Sequence, residues 1–250
     1  MNIWGIIIGG TAGLAIGGPI GGLVGALARH VAEHVANHAT GQSIAPIAGG
    51  YDKNLRQNVA FSVALIALSA KMAKSDGTVT LDEVLAFREK VDIPEKDVKK
   101  IGQLWDLARQ TPTGYEAYAR QLRQLFGAKA TVFEHLMGLL FHIANADGTV
   151  TDKENEYLYH VALELGFDDA DFQRLKLLYG NYPDNPYQIL NIATDSNTEE
   201  ARKAWIDLMR QHHPDRLQAN GLPAEFIRSA TDKVAKINAA YETIKQSHAS

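Results

Sequence analysis

Gln211-His212-His213-Pro214-Asp215-Arg216-Leu217 is the stretch that decides the reading of this chain. Pro214 stops the helix before it, because the residue preceding a proline disfavours the α region. Upstream, Thr198 to His212 is amphipathic. Ala201, Trp205, Leu208 and His212 recur at helical spacing as an inward face, with Thr198 as the cap and Glu199 and Glu200 in the first turn. Downstream, Ala224 to Gln246 reads as a second helix whose buried stripe is Ile227, Thr231, Val234, Ile237, Tyr241 and Ile244. A short helix over Tyr187 to Asn191 precedes the pair. His213-Pro214-Asp215 alone is a weak signal in 250 residues, and the two flanking helices are what make it specific.

Two antiparallel helices with His-Pro-Asp at their tip resemble the J domain over Tyr187 to Lys245. Asn185-Pro186-Tyr187-Gln188-Ile189-Leu190 is similar to that family's opening Tyr-x-x-Leu, and Ile237-Asn238-Ala239-Ala240-Tyr241 to its closing helix signature. The resemblance implies that His213, Pro214 and Asp215 contact a DnaK-type chaperone and trigger its ATP hydrolysis. Arg202, Lys203 and Arg210 then supply the basic face that steers toward an acidic patch. No catalytic residue is implied, since the chemistry is the partner's. The chain departs from the family at Ile206 and Asp207, where more Lys or Arg is usual, so its docking face is less basic.

The middle of the chain carries a duplication. Ser75-Asp76-Gly77-Thr78-Val79-Thr80 returns as Ala146-Asp147-Gly148-Thr149-Val150-Thr151. An apolar helix precedes each copy (Val59 to Ala73, Phe133 to Ala144) and an acidic amphipathic helix follows each (Leu81 to Val91, Asp152 to Leu165). Glu95 to Arg109 and Tyr115 to Phe126 are two further helices between them, which makes a duplicated helical bundle. Asp76 with Glu83, and Asp147 with Glu154, can supply oxygen ligands to a hard cation. The same residues read as helix caps: Thr80 with Glu83 and Thr151 with Glu154 are capping boxes, and neither turn has the EF-hand run. Asn54 to about Tyr179 resembles the TerB-like (tellurite-resistance) domain, which implies an α-helical duplication with a suspected metal role for those four acids.

Ile3 to Ala28 contains no charged residue. As one helix its 26 residues rise ~39 Å, more than the ~30 Å hydrocarbon core of a bilayer. Gly5, Gly9, Gly13, Gly17, Gly21 and Gly25 recur every fourth residue and form a ridge suited to close helix pairing. A single membrane anchor is the expectation. A cleaved signal peptide ending at Ala26-Leu27-Ala28 and a hairpin bent at Gly17-Gly18-Pro19 are the alternatives. Arg29, Lys53 and Arg56 follow the segment, so the positive-inside rule places the bulk of the chain in the cytoplasm and the amino terminus outside. His30, His34 and His38 share a face, and His30-Val31-Ala32-Glu33-His34 matches the H-x-x-E-H zinc-peptidase pattern. An interfacial, histidine-rich helix explains it more simply, since a catalytic helix needs a domain around it and no acidic third ligand is evident.

Composition agrees with this layout. The net charge of -4 gives no basic footprint for nucleic acid, and the absence of cysteine excludes disulfides and thiolate metal sites. The expectation is an all-α chain. It comprises an anchor (1–28), a histidine-rich juxtamembrane segment and linker (29–53), a TerB-like bundle (54–180), a linker (181–186) and a J domain (187–250). That order resembles the membrane-anchored DnaJ-like family of DjlA type. The resemblance implies a single-pass inner-membrane co-chaperone without a cofactor, a homodimer through the anchor, acting with a DnaK-type chaperone and its nucleotide exchange factor on unfolded or signalling client proteins. The competing reading is an acidic metal-binding sensor or scaffold with an accessory J domain.

Overall fold

A computed structural model describes residues 3–8, 16–36, 53–75, 81–110, 114–128, 130–148, 150–180 and 185–248. The described elements are helical. They are α1 (Ile3–Ile8), α2 (Gly18–Ala36), α3 (Lys53–Ser75), α4 (Leu81–Lys90), α5 (Glu95–Ala108), α6 (Tyr115–Phe126), α7 (Thr131–Ala144), α8 (Asp152–Leu165), α9 (Asp169–Tyr179), α10 (Pro186–Ile189), α11 (Thr198–Gln211), α12 (Pro214–Ala219) and α13 (Ile227–Ser247), with a 3₁₀ turn at Ala224–Phe226 before α13.

The bundle forms around α3. From Val59 to Ala73 this helix is buried on every side, as a helix apolar around its whole circumference must be. Helices α5, α6, α7 and α8 pack on it, α4 packs on α7, and α9 on α7. The duplication is visible as α3–α4 and α7–α8, each an apolar helix, a turn and an acidic helix. At the second turn Gly148 takes φ +97°, which a side chain would resist. Thr151 then caps α8: its side chain accepts from the Glu154 amide while Glu154 Oε2 accepts from the Thr151 amide at 2.8 Å. The equivalent cap at Thr80 lies outside the described residues.

The carboxy-terminal part has a small second core of Ile189, Leu190, Ala201, Ile237, Ala240 and Ile244, to which Leu178 of α9 contributes. Trp205 stacks on Tyr241 (centroids 4.9 Å apart) and donates its indole N–H to Asn238 Oδ1 at 2.8 Å, tying α11 to α13. Two sequence expectations need correction here. Asn197, not Thr198, caps α11, accepting from the Glu199 and Glu200 amides at 2.9 Å. The inward stripe of α13 is Ala230, Lys233, Ile237, Ala240 and Ile244, while Thr231 is exposed. Lys233 faces inward, its Nζ 3.8 Å from the Glu134 carboxylate of the bundle.

Ile3 to Ala28 is split, as a proline at position 19 leads one to expect. The chain breaks at Gly17 and Gly18, with φ of +65° and +58°, and Pro19 opens the first turn of α2. This is the bend that the Gly17-Gly18-Pro19 reading anticipated. Gln121 of α6 satisfies the backbone there: its amide donates to Gly17 O (2.9 Å), and its oxygen accepts from Ile20 N (3.1 Å). Trp4, Ile7, Ile20, Val24 and Leu27 are buried in the same core as the bundle, and the Trp4 indole donates to Asp92 O at 2.8 Å. Among the described residues no helix is long and apolar enough to cross a membrane. Gly9 and Gly13 of the glycine ridge lie outside the described residues. A Cβ at Gly5, Gly17 or Gly25 would meet nothing within 4 Å, so those positions leave an open surface. Gly21 of the ridge is buried.

Candidate functional site

The His-Pro-Asp stretch forms a capped turn. α11 ends at Gln211, and the His212 amide donates to Leu208 O at 2.9 Å. His213 is extended (φ −60°, ψ 130°), as a residue before proline prefers, and Pro214 is the first residue of α12, where its missing N–H costs nothing. His213 Nδ1 accepts from the Asp215 amide at 3.3 Å. That nitrogen must carry a lone pair, so a neutral ring holds its proton on Nε2. The 3.8 Å approach of Asp215 Oδ2 to Nδ1 is therefore a near contact and not an ion pair in that state. The Asp215 side chain is 88% exposed and that of His213 55%.

Arg202, Lys203 and Arg210 are all exposed on α11 and share one shallow groove. Glu199, Glu200 and Asp207 line the same groove, with half-buried Ile206 between. Three cations thus face three carboxylates. The thin basic face read from Ile206 and Asp207 is a property of the folded surface.

Beneath the tip lies a polar seat that the sequence reading did not identify. His212 is 1% exposed, and its Nδ1 stands 3.1 Å from Nε2 of His135 on α7. Burial, then the neighbouring His212 and Lys233, push His135 down to about 3. Burial, then Lys233, push His212 down to about 4. Both rings are neutral at pH 7, and one donates to the other. Glu134, beside His135, is the hub. Its Oε1 accepts from Arg174 of α9 at 2.8 Å, and its Oε2 lies 3.8 Å from both Lys233 Nζ and His212 Nε2. Burial alone would raise the Glu134 carboxyl, but Lys233, Arg174 and His212 together outweigh it and hold it below the ordinary range. Burial brings Lys233 down to about 8 against the opposing pull of Glu134. Lys233 also donates to the Tyr179 hydroxyl at 3.0 Å, and burial pushes that hydroxyl well up.

The far side of the tip is seated as well. Leu217, Leu222, Phe226 and Ala230 belong to the bundle's core, not to the small one. Phe226 meets Phe61 edge-on at 5.3 Å. Gly221, at φ +95°, approaches so closely that a Cβ would stand 2.7 Å from the Phe126 ring. Lys90 pairs with Asp232 at 2.9 Å, and Arg228 donates to Glu89 O at 2.9 Å.

Asp76 and the side chain of Glu83 lie outside the described residues. Glu154 is 5% exposed and turned into the Thr151 cap, where the Thr151 hydroxyl also donates to it at 2.9 Å, and Asp147 is exposed on the preceding turn. Among the described residues no group of three or more histidines or carboxylates is placed to hold a metal. His30 is half-buried on α2. The side chains of Glu33 and His34, and all of His38, lie outside the described residues.

Three family models match the chain in series. Residues 1–37 match the co-chaperone DjlA transmembrane domain, 62–177 the tellurite resistance protein TerB, and 185–249 the DnaJ domain. The chain is 24% identical to the co-chaperone protein DjlA of Photobacterium profundum over 98% of both chains. It is 25% identical to that of Aliivibrio fischeri over 79% of this chain and 82% of the relative, and 25% identical to that of Coxiella burnetii over 70% and 73%. No solved structure matches. A match to a transmembrane-domain segment, a TerB-like bundle and a terminal J domain, in that order and along 98% of one such relative, fits the description of a DjlA-type co-chaperone.

Proposed function

We propose that this chain is a membrane-tethered co-chaperone that binds a DnaK-type chaperone through His213, Pro214 and Asp215 and stimulates its ATPase. The carrying observation is the tip itself: His213 and Asp215 are exposed on a turn whose two ends are buried. A turn already held in one conformation loses little entropy when it docks. Asp215 offers a fully presented carboxylate to a basic group on the partner, and Arg202, Lys203 and Arg210 steer the approach. Because that face also carries Glu199, Glu200 and Asp207, association depends only weakly on salt.

Residues 1–37 supply the tether. In this reading the amino terminus lies outside and the J domain in the cytoplasm, as Arg29, Lys53 and Arg56 favour. The open glycine positions supply a homodimer contact, and the partner set includes a nucleotide exchange factor and clients gathered at the membrane. The test is single-turnover ATP hydrolysis by a DnaK-type chaperone with the full chain in nanodiscs. The parent accelerates hydrolysis, and His213→Gln removes the acceleration. Equal stimulation by both chains would refute the reading.

A further inference from the structure

We propose that helix α7 of the TerB-like bundle positions the tip: His135 and Glu134 are positioning residues for ATPase stimulation, acting through His212 and Lys233. The inference rests on the co-chaperone reading above and deepens it by extending the working site into the neighbouring bundle.

The chain leaves the bundle's surface for only a few residues. On one side of the tip, His212 is buried against His135; on the other, Leu217 re-enters the bundle's core. Between them His213, Asp215 and Arg216 are exposed and Pro214 is half-buried. An apolar seat alone would hold the J domain down, but it would not fix its rotation, because apolar burial is non-directional. The polar contacts supply the direction. Glu134 is already held by Arg174 from within the bundle, so one carboxylate oxygen is committed and the other is turned toward the J-domain residues Lys233 and His212. Hydrogen bonds between neutral rings need complementary tautomers. The tautomer that points an N–H of His212 at Glu134, and not a lone pair, leaves His212 Nδ1 bare. His135 Nε2 must then be the donor. His135 thus selects both the tautomer and the orientation of the residue immediately before His213.

The Lys233 side chain is 4% exposed, and its ammonium meets Glu134, the Tyr179 hydroxyl and the Tyr179 ring face (4.7 Å to the centroid). All three partners belong to the bundle. A buried lysine in the middle of an otherwise apolar stripe weakens a hairpin that folds by itself. It is intelligible if the hairpin's resting place is this seat.

The test uses the full chain in nanodiscs and titrates it into a single-turnover ATPase assay with a DnaK-type chaperone. His135→Leu removes the donor and keeps an apolar side chain. His135→Gln keeps an N–H near the same place. With the tip released to sample several orientations, His135→Leu raises the half-saturating concentration roughly five- to tenfold, with the maximal rate retained, as the loss of preorganisation requires. His135→Gln stays within about twofold of the parent, a rescue that loss of packing would not give. Glu134→Gln, which keeps the Arg174 hydrogen bond and loses the charge facing Lys233, raises the same concentration and provides the measurement if His135→Leu fails to fold. Circular dichroism on each variant confirms its helix content. A His135→Leu chain that folds and titrates like the parent overturns the proposal, and so does a His135→Gln chain as impaired as His135→Leu. A His213→Gln chain that stimulates like the parent overturns instead the co-chaperone reading on which it rests.

Discussion

Lowering the pH from 7.5 to 5.0 tests the neutrality of the His135–His212 pair. In the unfolded chain each ring titrates near 6.5; in the fold burial holds them near 3 and 4. Below pH 6.5 the unfolded chain therefore takes up two protons that the folded chain refuses, and stability falls as pH falls. At pH 5.0 the cost is about 2 kcal/mol per ring, or about 4 kcal/mol for the pair, at ~1.4 kcal/mol per pH unit. Above pH 7 the pair contributes no slope. Lys233, whose value is brought down from 10.5 to about 8, acts in a separate window: it adds stability as pH rises from 8 toward 10.5, where the unfolded chain still holds the proton. The assay is urea unfolding of the full chain at half-unit pH steps, followed by circular dichroism, beside a His135→Leu/His212→Leu double variant. The histidines outside the seat are common to both chains and cancel. The parent should lose up to about 4 kcal/mol more than the double variant between pH 7 and 5. Parallel curves would show that the rings are not buried together as described.

Glu134→Gln leaves Lys233 and Arg174 without their shared carboxylate and should cost about 3–5 kcal/mol in chemical denaturation, with Lys233→Met recovering part of the loss in the double variant. Thr151→Ala removes the α8 cap and should lower stability by about 1 kcal/mol in the same measurement. Replacing Gly9, Gly13 and Gly17 with leucine should abolish self-association in detergent, as followed by analytical ultracentrifugation; an unchanged dimer would remove the glycine contact. Calorimetry of the full chain with calcium, zinc or manganese should give no heat from the Asp147–Glu154 turn, because Glu154 is engaged by the Thr151 cap, and saturable heat lost in Glu154→Gln would restore the metal reading.

Where structure follows from local chemistry, the sequence announces it. The α6 and α8 boundaries read from the sequence, Tyr115 to Phe126 and Asp152 to Leu165, are those observed, because the amphipathic spacing of both and the Thr151–Glu154 capping box of α8 lie within a few residues. Helix α9 escapes the reading, although Asp168 and Asp171 form its capping box and Phe172, Leu175 and Leu178 its buried face. An 11-residue helix between a bundle and a turn-rich stretch offers little periodicity to detect. The tip is legible as a motif, but its seat is not. Hydropathy sends Lys233 and His135 outward, and only the long-range pairing with Glu134 and His212 explains why both are buried. Likewise a glycine-proline bend can be suspected from Gly17-Gly18-Pro19, while the residue that stabilises it, Gln121, sits on α6, far along the chain.

That glutamine has a consequence for how the amino-terminal segment can be housed. A lipid interior offers no partner for a stray peptide group, and each one left bare there costs several kcal/mol. At the bend, Ile20 N is partnered by the Gln121 side chain, while Gly17 O accepts from both Gln121 and the Gly21 amide. The bent shape is therefore a shape for the bundle's surface. Any copy of the segment that leaves Gln121 for the bilayer gives up the partner of Ile20 N and must pair that amide again within the segment. Position 121 thus sets the energetic distance between two mutually exclusive lodgings for the same apolar residues.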